Sequence, residues 1–149
     1  MIDNEYQHQR ALCASTASWL RACAVTAAWS LGLSLVALAL LVLGARSLPM
    51  LTSVGLGVVA ALGLVERYLA LRIRLDAGLF DGLASGAISS VGVLDASLAQ
   101  LGLRQAPLPS APARSLEDRV RGARQLTRQH AMLVGVQSLA MLALLLTFW

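Results

Sequence analysis

The sequence predicts an all-α membrane protein with three transmembrane helices: an N-terminal hairpin and a C-terminal span, joined by a helical cytoplasmic segment between spans 2 and 3. Three observations carry this. Of 149 residues, 57% are hydrophobic and 13% charged, a balance outside the range of soluble domains of this length. Residues 22–43, 48–65 and 131–149 are apolar stretches that approach the roughly twenty residues needed to cross about 30 Å of hydrocarbon. The arginines, which supply every basic side chain, cluster beside some ends of these stretches and avoid others.

Residues 1–21 place Arg10 and Arg21 ahead of the first stretch. Short arginine-rich flanks stay on the cytoplasmic side, so this is expected to be a cytoplasmic N-terminal segment. The first stretch reads as a retained anchor, because its apolar part is too long for a signal peptide and "LGARS" is a poor cleavage site. Only Arg46 occupies the turn "GARSLP", which is so short that residues 22–65 must form an antiparallel hairpin. Helices in lipid associate by close approach at small residues. Ala24, Ala28 and Gly32 in the first span, and Ser53, Gly57 and Ala61 in the second, recur at steps of four and are the expected contact faces.

Residues 66–103 are expected to be a cytoplasmic helical extension. From Glu66 onward charges appear every few positions while the leucines persist, as where a helix leaves the bilayer. Arg67, Arg72 and Arg74 fix that end inside, and Tyr68 falls at interfacial depth, as do Trp19, Phe148 and Trp149. Further on, Phe80, Leu83, Ala84, Ala87, Ile88, Val91, Leu94, Leu98 and Leu101 recur at three- and four-residue steps, the apolar face of one helix. A fourth span over residues 79–103 competes, but it would carry Asp81 and Asp95 into the bilayer at roughly 2.5–3.5 kcal/mol for a centrally placed acid. The aspartates are therefore expected on the wet face of the helix. The series Gly78, Gly82, Gly86, Ser90 costs about 1 kcal/mol of helix propensity per glycine and predicts a groove where another backbone packs.

"RQAPLPSAPARS" supplies a Pro-rich linker, residues 104–115. "SLED" then offers Ser115 as an N-cap with an acid three residues on, a capping-box pattern. Residues 116–149 are expected to form an amphipathic basic helix running straight into the third span, with Glu117 pairing Arg121. Its arginines put the start of the span inside and Trp149 outside. Arg119, Arg121, Arg124 and Arg128 are candidate contacts for anionic lipid or a partner. The segment has no aromatics for stacking on bases, so nucleic acid is not an expected partner.

Chemistry-bearing patterns are scarce. Cys13 and Cys23 have no companion ligands near in sequence, and His8 and His130 lie at opposite ends of the chain, each expected to be solvated. No catalytic, cofactor-binding or metal-ligating set is expected, and no cofactor or small-molecule substrate is identified, so the chain does not read as an enzyme. Gln137 and Ser138 are the polar side chains deep in the third span, where they more often join helices than handle substrate. The function expected is a structural or accessory subunit of a larger assembly in the bacterial inner membrane, in contact with the bilayer and with other subunits or copies of itself. The alternative is a small homo-oligomeric transporter, channel or holin-like pore, although the first two spans offer such a lumen only Thr26, Ser30, Ser34, Thr52 and Ser53.

Overall fold

The computed structural model describes residues 2–44, 46–102 and 115–147. Five helices are found among them: α1 (Ile2–Ala22), α2 (Ala24–Gly44), α3 (Met50–Ser85), α4 (Val91–Gln100) and α5 (Leu116–Leu146). The described residues contain no strand. Residues 4–44, interrupted only at Cys23, together with α3 and α5 make three helical stretches long and apolar enough to cross a membrane. Helices suit that environment because every backbone N–H and C=O is satisfied within the segment. Most of the Pro-rich linker, with Arg104 and Arg114, and the terminal Phe148 and Trp149 lie outside the described residues.

The chain divides into two compact units: Met1–Ala22 with Arg74–Gln125, and Cys23–Ile73 with Leu126–Trp149. Three apolar helices build the second. After α2, the Gly44 carbonyl accepts from the N–H groups of Ser47 and Leu48 at 2.9 and 3.0 Å, which reverses the chain in a few residues. Pro49 then precedes α3, where a missing N–H costs nothing, and its carbonyl takes the first helical bond from Ser53 at 3.0 Å. Ala37, Leu56, Val59 and Met141 form the core, with Leu33, Leu40, Leu41, Leu48, Ala140 and Leu144 packed against it.

Which faces meet differs from the small-residue expectation. Ala28, Gly32 and Ala61 are exposed, and Ala24, Ser53 and Gly57 are only half-buried. A Cβ built on Gly32 or Gly57 would meet nothing within 4 Å. The buried face of α2 is instead Ala27, Ser30, Ser34, Ala37, and that of α3 is Thr52, Leu56, Val59, Gly63, Glu66, Ala70, Ile73. Both alternate steps of three and four, the heptad seam of helices crossing at a shallow left-handed angle, whereas a strict step of four drifts around the helix and leaves that seam. Gly63 is the glycine that a close approach requires, since a Cβ there would collide with the Ser34 hydroxyl.

The other unit takes α1, residues 74–85 of α3, α4 and the first turns of α5. Its buried hydrophobic side chains are Cys13, Ala17, Leu20, Ala77, Phe80, Leu94, Val120 and Ala123. The N-terminal residues are thus helical and packed, a feature the charge pattern did not reveal. Nor do residues 79–103 form a single helix, for α3 stops at Ser85 where Gly86 adopts φ +81°, the left-handed C-terminal cap that glycine reaches without strain. Ile88 N–H donates to the Gly82 carbonyl at 3.0 Å, and its side chain folds over Gly82, 2.7 Å from a Cβ built there. Ser90 caps α4, accepting from Val93 N–H at 3.3 Å. Gly78, Gly82, Gly86 and Ser90 therefore do not line one groove. Gly82 is covered by its own following turn, Gly78 has nothing within 4 Å, and Leu101 is exposed. Arg10 Nε donates to the Ala84 carbonyl at 2.8 Å, satisfying one of the orphan acceptors that end α3.

Other expectations hold. α5 runs unbroken from Leu116 to Leu146, and Ser115 Oγ both accepts from Asp118 N–H at 3.2 Å and donates to its carboxylate at 2.9 Å. Ser115 is thus the N-cap, and it is its hydroxyl that the Asp118 carboxylate holds. Arg121 lies 3.4 Å from Asp118 rather than pairing with Glu117, a contact too exposed to contribute much. Burial pushes the Cys13 thiol up from its ordinary value, which depletes the reactive thiolate. In a Cys23→Ser background, Cys13 is expected to react with a water-soluble maleimide at least about tenfold more slowly in the folded protein than in the denatured one. Equal rates would show that α1 does not pack as described.

Candidate functional site

Several polar side chains of the membrane-candidate helices, Ser30, Ser34 and Gln137 among them, are buried on the seam. Gln137 of α5 is completely buried, and its Nε2 donates to Ser34 Oγ at 2.8 Å, to the Val59 carbonyl at 3.1 Å and to the Ser30 carbonyl at 3.4 Å. Ser34 in turn donates to the Ser30 carbonyl at 3.0 Å. One amide thus ties α5 to both α2 and α3, the joining role its position predicts. Ser138 accepts from the half-exposed Trp29 indole at 3.1 Å and donates to the Val134 carbonyl at 2.8 Å.

Contacts along the seam set its register. Thr26 meets His130 and Ser34 meets Gln137, so α2 and α5 run the same way. Gly55 faces Leu144 while Val59 faces Gln137, so α3 runs opposite. One heptad back from Gln137 along α5 lies His130, one heptad on from Val59 along α3 lies Glu66, and one heptad back from Ser34 lies Ala27. All three are buried, and they form a second layer about 10 Å along the axis from the first.

His130 was expected to be solvated and Glu66 to mark where the second helix emerges into water; the structure buries both. Glu66 is 0% exposed and His130 1%. The physical reason is register: position 66 continues the three-four series of α3, and 130 continues the series Ala123, Thr127, His130, Val134, Gln137, Met141 of α5. Seam position overrides distance from the apolar run. His130 Nε2 lies 3.2 Å from Thr26 Oγ1, whose single hydrogen is given to the Cys23 carbonyl at 2.7 Å. Thr26 therefore accepts from His130, which assigns the Nε2–H tautomer to the neutral ring and leaves Nδ1 a bare acceptor. Neither Nδ1 nor either Glu66 oxygen has a hydrogen-bond partner, and buried Nε and Nη2 atoms of the neighbouring Arg67 also lack one. An unpaired buried carboxylate costs several kcal/mol. Reading the sequence for three-four alternation, instead of for small residues four apart, finds both positions.

The remaining site expectations divide. Arg121, Arg124 and Arg128 are exposed on α5. Arg119 is not: it forms an ion pair with Asp95 in which the two side chains are 14% and 10% exposed. Asp95 is thus buried rather than on a wet face, because α4 turns it inward beside Leu94. Asp81 does face solvent, 2.7 Å from Arg21, and His8, Trp19 and Tyr68 are exposed. Among the described residues, no three His, Cys, Asp or Glu side chains group as metal ligands.

The described residues are all-helical, without strands, and three of the helical stretches are apolar and long enough to span a bilayer, which suggests a multi-pass membrane protein. Comparison with protein-family models, curated proteins and solved structures found no match.

Proposed function

We propose that this chain is a structural or accessory subunit of a larger assembly in the bacterial inner membrane, with the N-terminus cytoplasmic and the C-terminus periplasmic. The observation that carries the reading is how the apolar helices divide their surface. Only 22–28% of each apolar window is buried within the chain, and outward-facing side chains such as Trp29, Leu35, Val42, Leu51, Leu64 and Leu139 are apolar. Lipid or partner helices must cover them. The polar groups, by contrast, are spent inside the seam, where Gln137 joins the helices. Orientation is supported by Arg67, Arg72, Arg74 and the exposed Arg121, Arg124 and Arg128, which belong together on the cytoplasmic side and lie where anionic headgroups would meet them.

A small homo-oligomeric transporter or pore is the second reading, favoured by the ionisable layer at Glu66 and His130. That layer lies inside one chain, whereas a pore between copies needs polar side chains on an outward face.

Affinity purification from native membranes in mild detergent tests the choice. A stoichiometric set of other subunits is expected, and a pure homo-oligomer overturns the subunit reading in favour of the pore. Reporter fusions at Gln105 and after Trp149 should read cytoplasmic and periplasmic respectively, and a periplasmic signal at Gln105 overturns the orientation.

A further inference from the structure

We propose that Glu66 and His130 form a proton-binding site within the helical seam, the two side chains sharing one proton between the Glu66 carboxyl and His130 Nδ1. This rests on the seam's geometry and is independent of the subunit reading.

The two residues occupy one layer, and both are excluded from solvent. Their hydrogen-bonding needs are complementary. Thr26 fixes the His130 ring through Nε2, so Nδ1 presents a lone pair and no hydrogen to the seam. A Glu66 carboxylic acid has one hydrogen to give, and Nδ1 is an acceptor without a partner in its layer. The register set by Thr26–His130 and Val59–Gln137 puts the two side chains on facing helices in this layer. If the proton sits on oxygen the pair is acid and neutral imidazole, and if on nitrogen it is carboxylate and imidazolium. Either way the pair bears no net charge, which is what an apolar surrounding tolerates. From α2 the layer receives Thr26 and Ala27, neither charged, and α3 adds Arg67, whose positive charge acts on both Glu66 and His130 although neither Glu66 oxygen accepts a hydrogen bond. Thus the ligand is a proton, and the groups that exchange it are a carboxyl and an imidazole.

The chain contains only three glutamates, of which Glu5 and Glu117 are exposed, so selective carbon-13 labelling of glutamate gives three carboxyl signals. In the intact protein at neutral pH the Glu66 carboxyl carbon is expected to stand apart from the two solvent-facing references, and His130→Gln is expected to move it. Nitrogen-15 labelling should show the reciprocal change at His130 Nδ1 in Glu66→Gln. A Glu66 signal that coincides with the exposed glutamates, together with a His130 Nδ1 signal that bears no proton, overturns the proposal, for Glu66 is then a carboxylate with Arg67 as its counter-ion. A displaced signal that ignores His130→Gln overturns it as well, leaving a lone buried acid. Where His130→Gln fails to fold, Thr26→Val removes only the bond that orients the ring and should move the same signal, and the first comparison needs only the unmodified chain.

Discussion

Replacing Arg119 with methionine is expected to release α4 from its unit. Asp95 and Arg119 are almost wholly buried against each other, and removing one partner of a buried pair typically costs about 3–5 kcal/mol because a charge stays behind in a poor solvent. The loss has a ceiling: α4 has ten residues, so the unit can move the buried carboxylate into water by undocking that helix, and the measured cost is the smaller of the two. Limited proteolysis should therefore cut within residues 91–100 in Arg119→Met under conditions that leave the parent intact, with a lowered thermal transition. Pairing Arg119→Met with Asp95→Leu removes both charges and is expected to recover most of the stability, since buried pairs often exchange for apolar residues at little cost. Unchanged protease resistance and melting in Arg119→Met, combined with weaker binding to anionic vesicles, would return Arg119 to the lipid-contact role its sequence neighbours suggest.

The second large effect is expected at Gly63. A Cβ there runs into the Ser34 hydroxyl, and that hydroxyl cannot swing aside freely, because it donates to the Ser30 carbonyl at 3.0 Å and accepts from Gln137 at 2.8 Å. Gly63→Ala must either part α2 from α3 or break the amide network. Overpacking costs about 1–3 kcal/mol, with about 1 kcal/mol more for each hydrogen bond lost. Gly32→Ala and Gly57→Ala meet no neighbour within 4 Å and should be silent or stabilising by up to about 1 kcal/mol, through helix propensity alone. Thermal unfolding of the purified protein in detergent measures all three. Ser34→Gly should rescue Gly63→Ala in a non-additive way, because the two changes share one space. If Gly63→Ala melts with Gly57→Ala, the close approach of α2 and α3 at Gly63 is wrong.

The two sites show what was legible in the sequence. Gln137 stood out as a polar side chain amid apolar neighbours, and its helix-joining role followed from the cost of an unsatisfied amide in such surroundings. Glu66 did not stand out, because a charge at the end of an apolar run has a simpler explanation in the helix reaching water. Only the alternation of three and four, counted from Thr52 to Ile73, marks it as facing inward. The small-residue series misled for a related reason. Gly32 and Gly57 are small but lie off the seam, and smallness helps packing only where a neighbour arrives.

By itself the sequence determined the helical class, the three apolar stretches, the short reversal after Gly44, and the Ser115 cap that starts an unbroken α5. Each of these depends on local composition, spacing or backbone chemistry, which act over a turn or two of chain. Tertiary structure alone decided that Arg119 serves Asp95 rather than a surface, and that Glu66 and His130 share one buried layer. Those outcomes depend on which face of each helix meets its neighbours and in what register. A rotation of one residue about a helix axis, some 100°, exchanges a solvated charge for a buried one while leaving every local signal unchanged.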